Sequence, residues 1–234
     1  MKESMSHDSE RAEIARLRDE YDRRRRRPSK ATSGGDDFMH EQRHRETLRM
    51  LNDRGLLPRP ETRILEVGCG SGAVLREMLR LGAGPNRLVG LDLLEWRLRE
   101  AHQALPEAMI VNGNGCHLPF ADGTFDLVLQ FTAFSSILDS AIRRTMAREM
   151  RRVLRPGGSI LWYDFWINPA NPRTRGIRPP ELRRLFPGCQ FDLKRITLAP
   201  PVARLLAPVS WELCRMLERL KLLNTHYLAA IRPL

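Results

Sequence analysis

From residue 63 onward, short apolar runs alternate with longer stretches in which apolar positions recur every three or four residues. The runs at 63–67 (RILEV), 87–93 (RLVGLDL), 108–112 (AMIVN), 125–131 (FDLVLQF) and 158–165 (GSILWYDF) are almost continuously apolar. That character suits parallel strands buried on both faces. Helices are predicted between them, over about 73–81, 95–104 and 139–155. In the last of these, Ile142, Met146, Met150 and Val153 repeat with helical spacing, and Pro156-Gly157-Gly158 marks its end. Two more strands are expected at 190–198 and 225–231, separated by about 26 residues from Ala199 to Asn224. A gap of that length is too long for a tight hairpin and predicts a helical insertion, with a helix from Trp211 onward. The alternation predicts an α/β fold.

The N-terminal part reads differently. Residues 9–27 form a predicted helix in which Ile14, Leu17 and Tyr21 share one face, and acid-to-Arg pairs stand four residues apart. Pro28 is expected to end it. By composition 29–37 (SKATSGGDD) is a flexible linker, and a second helix is expected over 38–52. The predicted division is therefore 1–37, helix and linker, and 38–234, the main domain.

Composition narrows the class. The chain has 234 residues, 42% hydrophobic and 29% charged, ordinary for a globular protein. Its four cysteines are scattered without a CxxC pair, which points to neither a metal site nor a disulfide framework. The polar N-terminus and the lack of a long apolar run give an expectation of a cytoplasmic location. The net charge of +11 is unevenly placed: +3 in residues 1–60, −3 in 61–138 and +11 in 139–234. A nucleic-acid role competes here with a solvated Arg-rich surface.

The candidate chemistry lies at Ile64-Leu65-Glu66-Val67-Gly68-Cys69-Gly70-Ser71-Gly72, a strand running into a glycine loop and then a helix. Such a loop brings backbone N–H groups close to a ligand. Asp92 ends the second strand, 20 residues after Gly72, where a carboxylate can accept ribose hydroxyls. The glycine spacing departs from the GxGxxG of dinucleotide sites, and Glu66 beside it disfavours a pyrophosphate. A ligand with a cationic amino-acid end fits better.

Taken together, ILEVGCGSG, GLDL, NGNGCHLPF, FDLVL and REMRRVLRPGG resemble the successive motifs of class I S-adenosylmethionine-dependent methyltransferases, in the subgroup that includes ubiquinone and menaquinone C-methyltransferases. The resemblance covers about 60–166. It implies a Rossmann-like doubly wound sheet of seven strands, mostly parallel with an antiparallel last strand, and an N-terminal helical lid. It implies S-adenosylmethionine as cofactor. Carried over, Glu66, Gly68, Cys69 and Gly70 would line the methionine end, Asp92 the ribose and Leu93 the adenine. Asn114, Gly115 and Cys116 would border the adenine, Asn114 standing where the family commonly has Asp. Gln130 would close the site from the fourth strand.

The family's His-His pair after that strand is replaced by Thr132-Ala133-Phe134-Ser135-Ser136. Asp164, Tyr163 and His226 remain as catalytic candidates. Tyr21, Trp166 and Arg175 are candidates for contact with an acceptor, and segments 166–180 and 199–224 for its pocket wall. The expected activity is methylation of a small molecule, most simply on oxygen, and the expected partner is that acceptor. The alternatives are an RNA methyltransferase or a non-catalytic binding protein. Against RNA stand the missing N/D-P-P-Y pattern and an aromatic content of 6%. Peripheral membrane contact by 199–224 is a further expectation; nothing in the sequence speaks to oligomeric state.

Overall fold

A computed structural model describes residues 7–26, 33–168, 171 and 173–234. Its centre is a seven-stranded sheet in the order β3-β2-β1-β4-β5-β7-β6. Strands β1 (Ile64–Val67), β2 (Leu88–Asp92), β3 (Met109–Asn112), β4 (Phe125–Phe131) and β5 (Leu154–Phe165) run parallel. β7 (Asn224–Pro233) is antiparallel to both β5 and β6 (Cys189–Leu198). This is the expected doubly wound architecture.

Alternate residues of the central strands feed two cores. Leu65, Val67, Val128, Ile160 and Trp162 face α5 (Ser140–Arg152) and α6 (Pro179–Leu185). Ile64, Leu127, Leu129 and Leu161 face α2 (Gly34–Asp53), α3 (Ala73–Arg80) and α4 (Glu95–Ala104). With about 25 cal/mol gained per Å² of apolar surface removed from water, these two layers fix the strand register. Because the chain winds outward in both directions from β1 and β4, their C-terminal ends leave a crevice at the switch point.

The elements depart from expectation in three places. α2 begins at Gly34, inside the segment read as linker, whose residues 29–32 lie outside the described residues. Ser33 caps it: its hydroxyl accepts from the Asp36 N–H, and the Asp36 carboxylate accepts from the Ser33 N–H. The glycines serve a close crossing, since a Cβ on Gly35 would lie 2.4 Å from the Arg204 Cα. Second, β5 starts at Leu154, ahead of Pro156-Gly157-Gly158, and an irregularity between Phe125 and Leu127 absorbs the turn. Third, the insertion forms α7 (Pro200–Leu206) and α8 (Trp211–Leu220), which pack on α2 rather than over the crevice. Trp211 meets Phe38 edge-on at 5.4 Å beside buried Ala203 and Cys214.

Candidate active site

The crevice is a cavity of about 240 Å³ bordered by β1, β2 and β4 and roofed by α1 (His7–Arg25). Glu66 and Val67 end β1. The chain then turns sharply, with Gly68, Gly70 and Gly72 at φ values of 80°, 54° and 76°. A side chain at Gly68 would place its Cβ 2.8 Å from that of Ala133, so only glycine keeps this wall open. Gly68 and Cys69 donate their N–H groups to the Leu91 carbonyl, which ties the loop to β2.

Asp92 fixes the loop from the other side. One carboxylate oxygen accepts from the Gly70 N–H at 2.8 Å and the other from the Leu94 N–H at 2.9 Å. Each oxygen keeps a second lone pair. Glu66 is enclosed and belongs to the cavity lining, and its buried Oε2 has no hydrogen-bond partner. Burial pushes its carboxyl well above the ordinary range, opposed by the Arg43 guanidinium across the cavity. The Arg43 Nε is likewise buried and unpartnered. Arg43 also pairs with Glu77 at 3.6 Å, yet a buried acid with one unpartnered oxygen and an arginine on the same cavity lining match the ammonium and carboxylate of an amino-acid end, and leaving such a buried polar atom unmatched is costly.

Leu93, Gly113, Asn114, Gly115 and Cys116 line the far end. Asn114 is occupied in an unforeseen way. Its carbonyl accepts from the Cys116 N–H at 3.0 Å, and its amide donates to the Glu10 carboxylate of α1. The carboxylate at this end is therefore that of Glu10, which is engaged by the Asn114 amide and also meets His117 at 3.0 Å. Burial pushes the Cys116 thiol up to about 12 and raises Cys69 further, so neither is a thiolate at neutral pH.

Helix α1 lies across the mouth. Ile14, Leu17 and Tyr21 face inward, as their spacing predicts. Its other contacts are polar: the Glu13 carboxylate accepts from the Leu138 N–H at 2.6 Å, Arg16 donates to the Ser136 carbonyl at 2.5 Å, and Arg173 donates to Glu20 at 2.9 Å. Under this roof Thr132 holds φ 59°, a left-handed conformation rare for a β-branched residue. Bonds from its N–H to the Tyr163 carbonyl and from its hydroxyl to the Phe131 carbonyl maintain it.

Several candidates lie elsewhere. Asp164 is fully buried behind the wall, accepting from the Ser135 N–H, the Phe165 N–H and the Gln130 amide; its carboxyl is raised by burial. Gln130 is buried with it and does not reach the cavity. Tyr163 hydrogen-bonds Thr197 at 2.9 Å and stacks on His226 at 4.7 Å. Enclosure pushes His226 down to about 3, so it stays neutral. Trp166 donates to the Asn224 carbonyl and carries Arg195 over its ring. Arg175 faces Glu181 at 3.8 Å. These six residues strengthen the wall and the sheet edge, and among the described residues none of 166–180 or 199–224 lines the cavity. Glu10, Arg43, Arg97 and Thr132 line it unforeseen by the sequence reading; an acid or base on a helix face carries no local sign of the cavity it will meet.

A methyltransferase-domain family matches residues 64–158. Demethylmenaquinone methyltransferase of Corynebacterium kroppenstedtii is 28% identical over 75% of the chain and 69% of its own length. Phthiotriol/phenolphthiotriol dimycocerosates methyltransferase 1 of Mycobacterium ulcerans is 38% identical over 47% of the chain and 39% of its own length. Over most such curated relatives the chain spans about half their length. Among solved structures, an S-adenosylmethionine-dependent methyltransferase from Mesorhizobium loti superposes with a TM-score of 0.55, at 22% identity over 76% of this chain and 95% of that one. Sequence motifs and sheet order agree with these relatives: residues 64–158 carry a methyltransferase domain, set in the S-adenosylmethionine-dependent class I fold.

Proposed function

We propose that the protein methylates a small-molecule acceptor, on oxygen, with S-adenosylmethionine held in the β1–β2–β4 cavity. The observation that carries this reading is the buried Glu66, on the cavity lining beside the glycine loop, with one carboxylate oxygen unpartnered. Glu66 takes the ammonium of the cofactor, Arg43 its carboxylate, Asp92 the ribose hydroxyls and Glu10 the adenine amino group. Leu93, Gly115 and Cys116 border the adenine. When bound, the cofactor supplies an electrophilic methyl group that needs no further activation.

The chain's own task is then to bind, orient and exclude water. Phe131, Ala133, Ile137, Ile142 and Met146 form an apolar wall, with α1 closing it. The Tyr21 and Ser136 hydroxyls are the polar groups available to orient an acceptor hydroxyl. Glu13 is engaged by Arg16 and the Leu138 N–H, so positioning carries the rate. The acceptor oxygen either arrives ionised or gives its proton to water as the methyl group leaves the sulfonium behind as a neutral thioether. The relatives named for demethylmenaquinone and phthiotriol dimycocerosates support a small-molecule acceptor.

The test is incubation of the full chain with methyl-labelled S-adenosylmethionine and separate panels of phenolic, carboxylic and hydroxylated small molecules, and RNA. Label in an O-methyl product is the expected result. Label in RNA alone, or cofactor binding without turnover across every panel, contradicts the reading.

A further inference from the structure

The insertion between β6 and β7 has a second face that the cavity does not use. Of thirteen large hydrophobic residues exposed among the described residues, seven fall between Leu205 and Leu223. Leu205, Val209 and Leu222 are 73%, 82% and 75% exposed, far beyond partial contact with a helix edge. On α8, Trp211, Cys214 and Leu217 pack inward against Phe38 and Leu198. Leu213, Met216 and Leu220, at i, i+3 and i+7, form a separate outward stripe. A helix with apolar residues on both faces has one face too many for a free surface.

Beside this stripe stand Arg215, Arg219 and Lys221, against one exposed acid of the same helix, Glu212. Arg215, Arg219 and Lys221 make no ion pair with a described residue, and they border a polar groove between α8, α2 and β6. Seven cationic and three acidic side chains line the groove. All three acids are paired within the groove, Glu41 and Glu218 with Arg45 and Glu46 with Arg49, and cations remain in excess. The tip is held firmly, since Arg195 donates to the Leu222 and Asn224 carbonyls at 3.0 and 2.8 Å. Lys221, at φ 57°, ends α8 and turns the chain so that Leu222 and Leu223 follow directly.

We propose that this edge docks the protein on an anionic phospholipid bilayer. The outward stripe of α8 and the Leu222 tip enter the interfacial region, and the Arg215–Arg219–Lys221 cluster faces the phosphate layer. Charge complementarity selects the partner: an apolar face bordered by uncompensated cations fits a surface that is apolar inside and negative outside. No helix among the described residues is long and apolar enough to cross a membrane, so the mode is lying on the surface. This inference does not depend on which acceptor the cavity takes.

The experiment is co-sedimentation of the full chain with phosphatidylcholine vesicles and with phosphatidylcholine–phosphatidylglycerol vesicles, at low and high salt. Binding to the anionic vesicles, weakened by salt, is expected, with about fivefold lost per cation removed. Met216→Ser/Leu220→Ser/Leu222→Ser and Arg215→Ser/Arg219→Ser/Lys221→Ser should each lower partitioning tenfold or more. Both sets lie outside the cavity, so S-adenosylmethionine affinity, measured alongside, should stay unchanged and report intact folding. Absence of binding to anionic vesicles at low salt overturns the proposal. So does vesicle binding indifferent to the apolar triple variant, a vesicle-free dimer that the same variants break, or competition by free glycerol phosphate at equal affinity.

Discussion

The Tyr21 hydroxyl on α1 and the Ser136 hydroxyl after β4 meet at 3.1 Å across the mouth of the cavity. Around them the helix is held chiefly by charge. Its buried residues are Glu10, Glu13 and Glu20, each bonded to a group on the main domain or on α1 itself. A roof attached by polar contacts separates from the domain at little cost, because water and salt can replace those contacts. The cavity beneath it, about 240 Å³, is bordered by this roof, so the roof's attachment should bear on cofactor binding.

Removal of residues 1–26 should therefore leave a folded domain with S-adenosylmethionine affinity reduced about tenfold or more. Binding to the full chain should weaken as ionic strength rises. Calorimetric titrations of both proteins at two salt concentrations check this. Equal affinity in the truncated protein contradicts a cofactor-covering role for α1.

In the proposed site, Glu10 stands in for the carboxylate at the adenine end, beside Asn114. Glu10→Gln should weaken S-adenosylmethionine binding by about five- to tenfold, in keeping with loss of one hydrogen bond to a charged acceptor. Asn114→Asp should weaken it too, because two carboxylates would then face each other. A titration of each variant gives the answer, and tighter binding by Asn114→Asp would show that Asn114 is itself the adenine contact.

Arg143 is completely buried, donating to Glu181, the Ile137 carbonyl and the Arg175 carbonyl at 2.9, 2.7 and 2.8 Å. It joins α5, α6 and the loop before α6 to the cavity wall. Arg143→Ala strands Glu181 and two carbonyls, and should destabilise the protein by about 3–5 kcal/mol in urea unfolding. A loss below about 1 kcal/mol would mean that the network contributes little.

His226 gives stability a pH signature. Its native value is depressed to about 3 by burial, whereas an exposed histidine titrates near 6.5. The unfolded chain takes up that proton first, so this contribution is full above about pH 6.5 and is lost as pH falls toward 3. Urea unfolding from pH 7 to 4 should show a fall in stability that His226→Phe reduces.

Much of the fold was legible because it rests on local patterns. The near-continuous apolar runs located every strand within a few residues, and Ile14, Leu17 and Tyr21 correctly marked the inward face of α1. What sequence missed depends on distant neighbours. Gly34 and Gly35 read as a linker, because the close crossing with Arg204 that requires small residues is invisible in one dimension. Asp164, Tyr163 and His226 have suitable chemistry and lie near strand ends, yet a strand places alternate side chains on opposite faces. One peptide of displacement decides between cavity and core. Arg43 and Glu10 were missed for the converse reason, since their helices reach the cavity only through tertiary packing.

Glu66 joins stability to binding. Its raised native value means that ionising it in the empty cavity costs free energy, so the protein loses stability as pH rises above the ordinary carboxylate range. Glu66→Gln should melt higher than the natural protein at pH 8. Binding of an ammonium must draw the carboxylate into its charged form, releasing a proton. The most direct measurement is calorimetric titration of S-adenosylmethionine into the full chain and into Glu66→Gln, in two buffers of different ionisation enthalpy. One site per chain, proton release by the natural protein, and an affinity lowered more than tenfold in a variant that melts at least as high are expected. Unchanged affinity in Glu66→Gln, or no binding by the natural chain, would contradict the role assigned to Glu66.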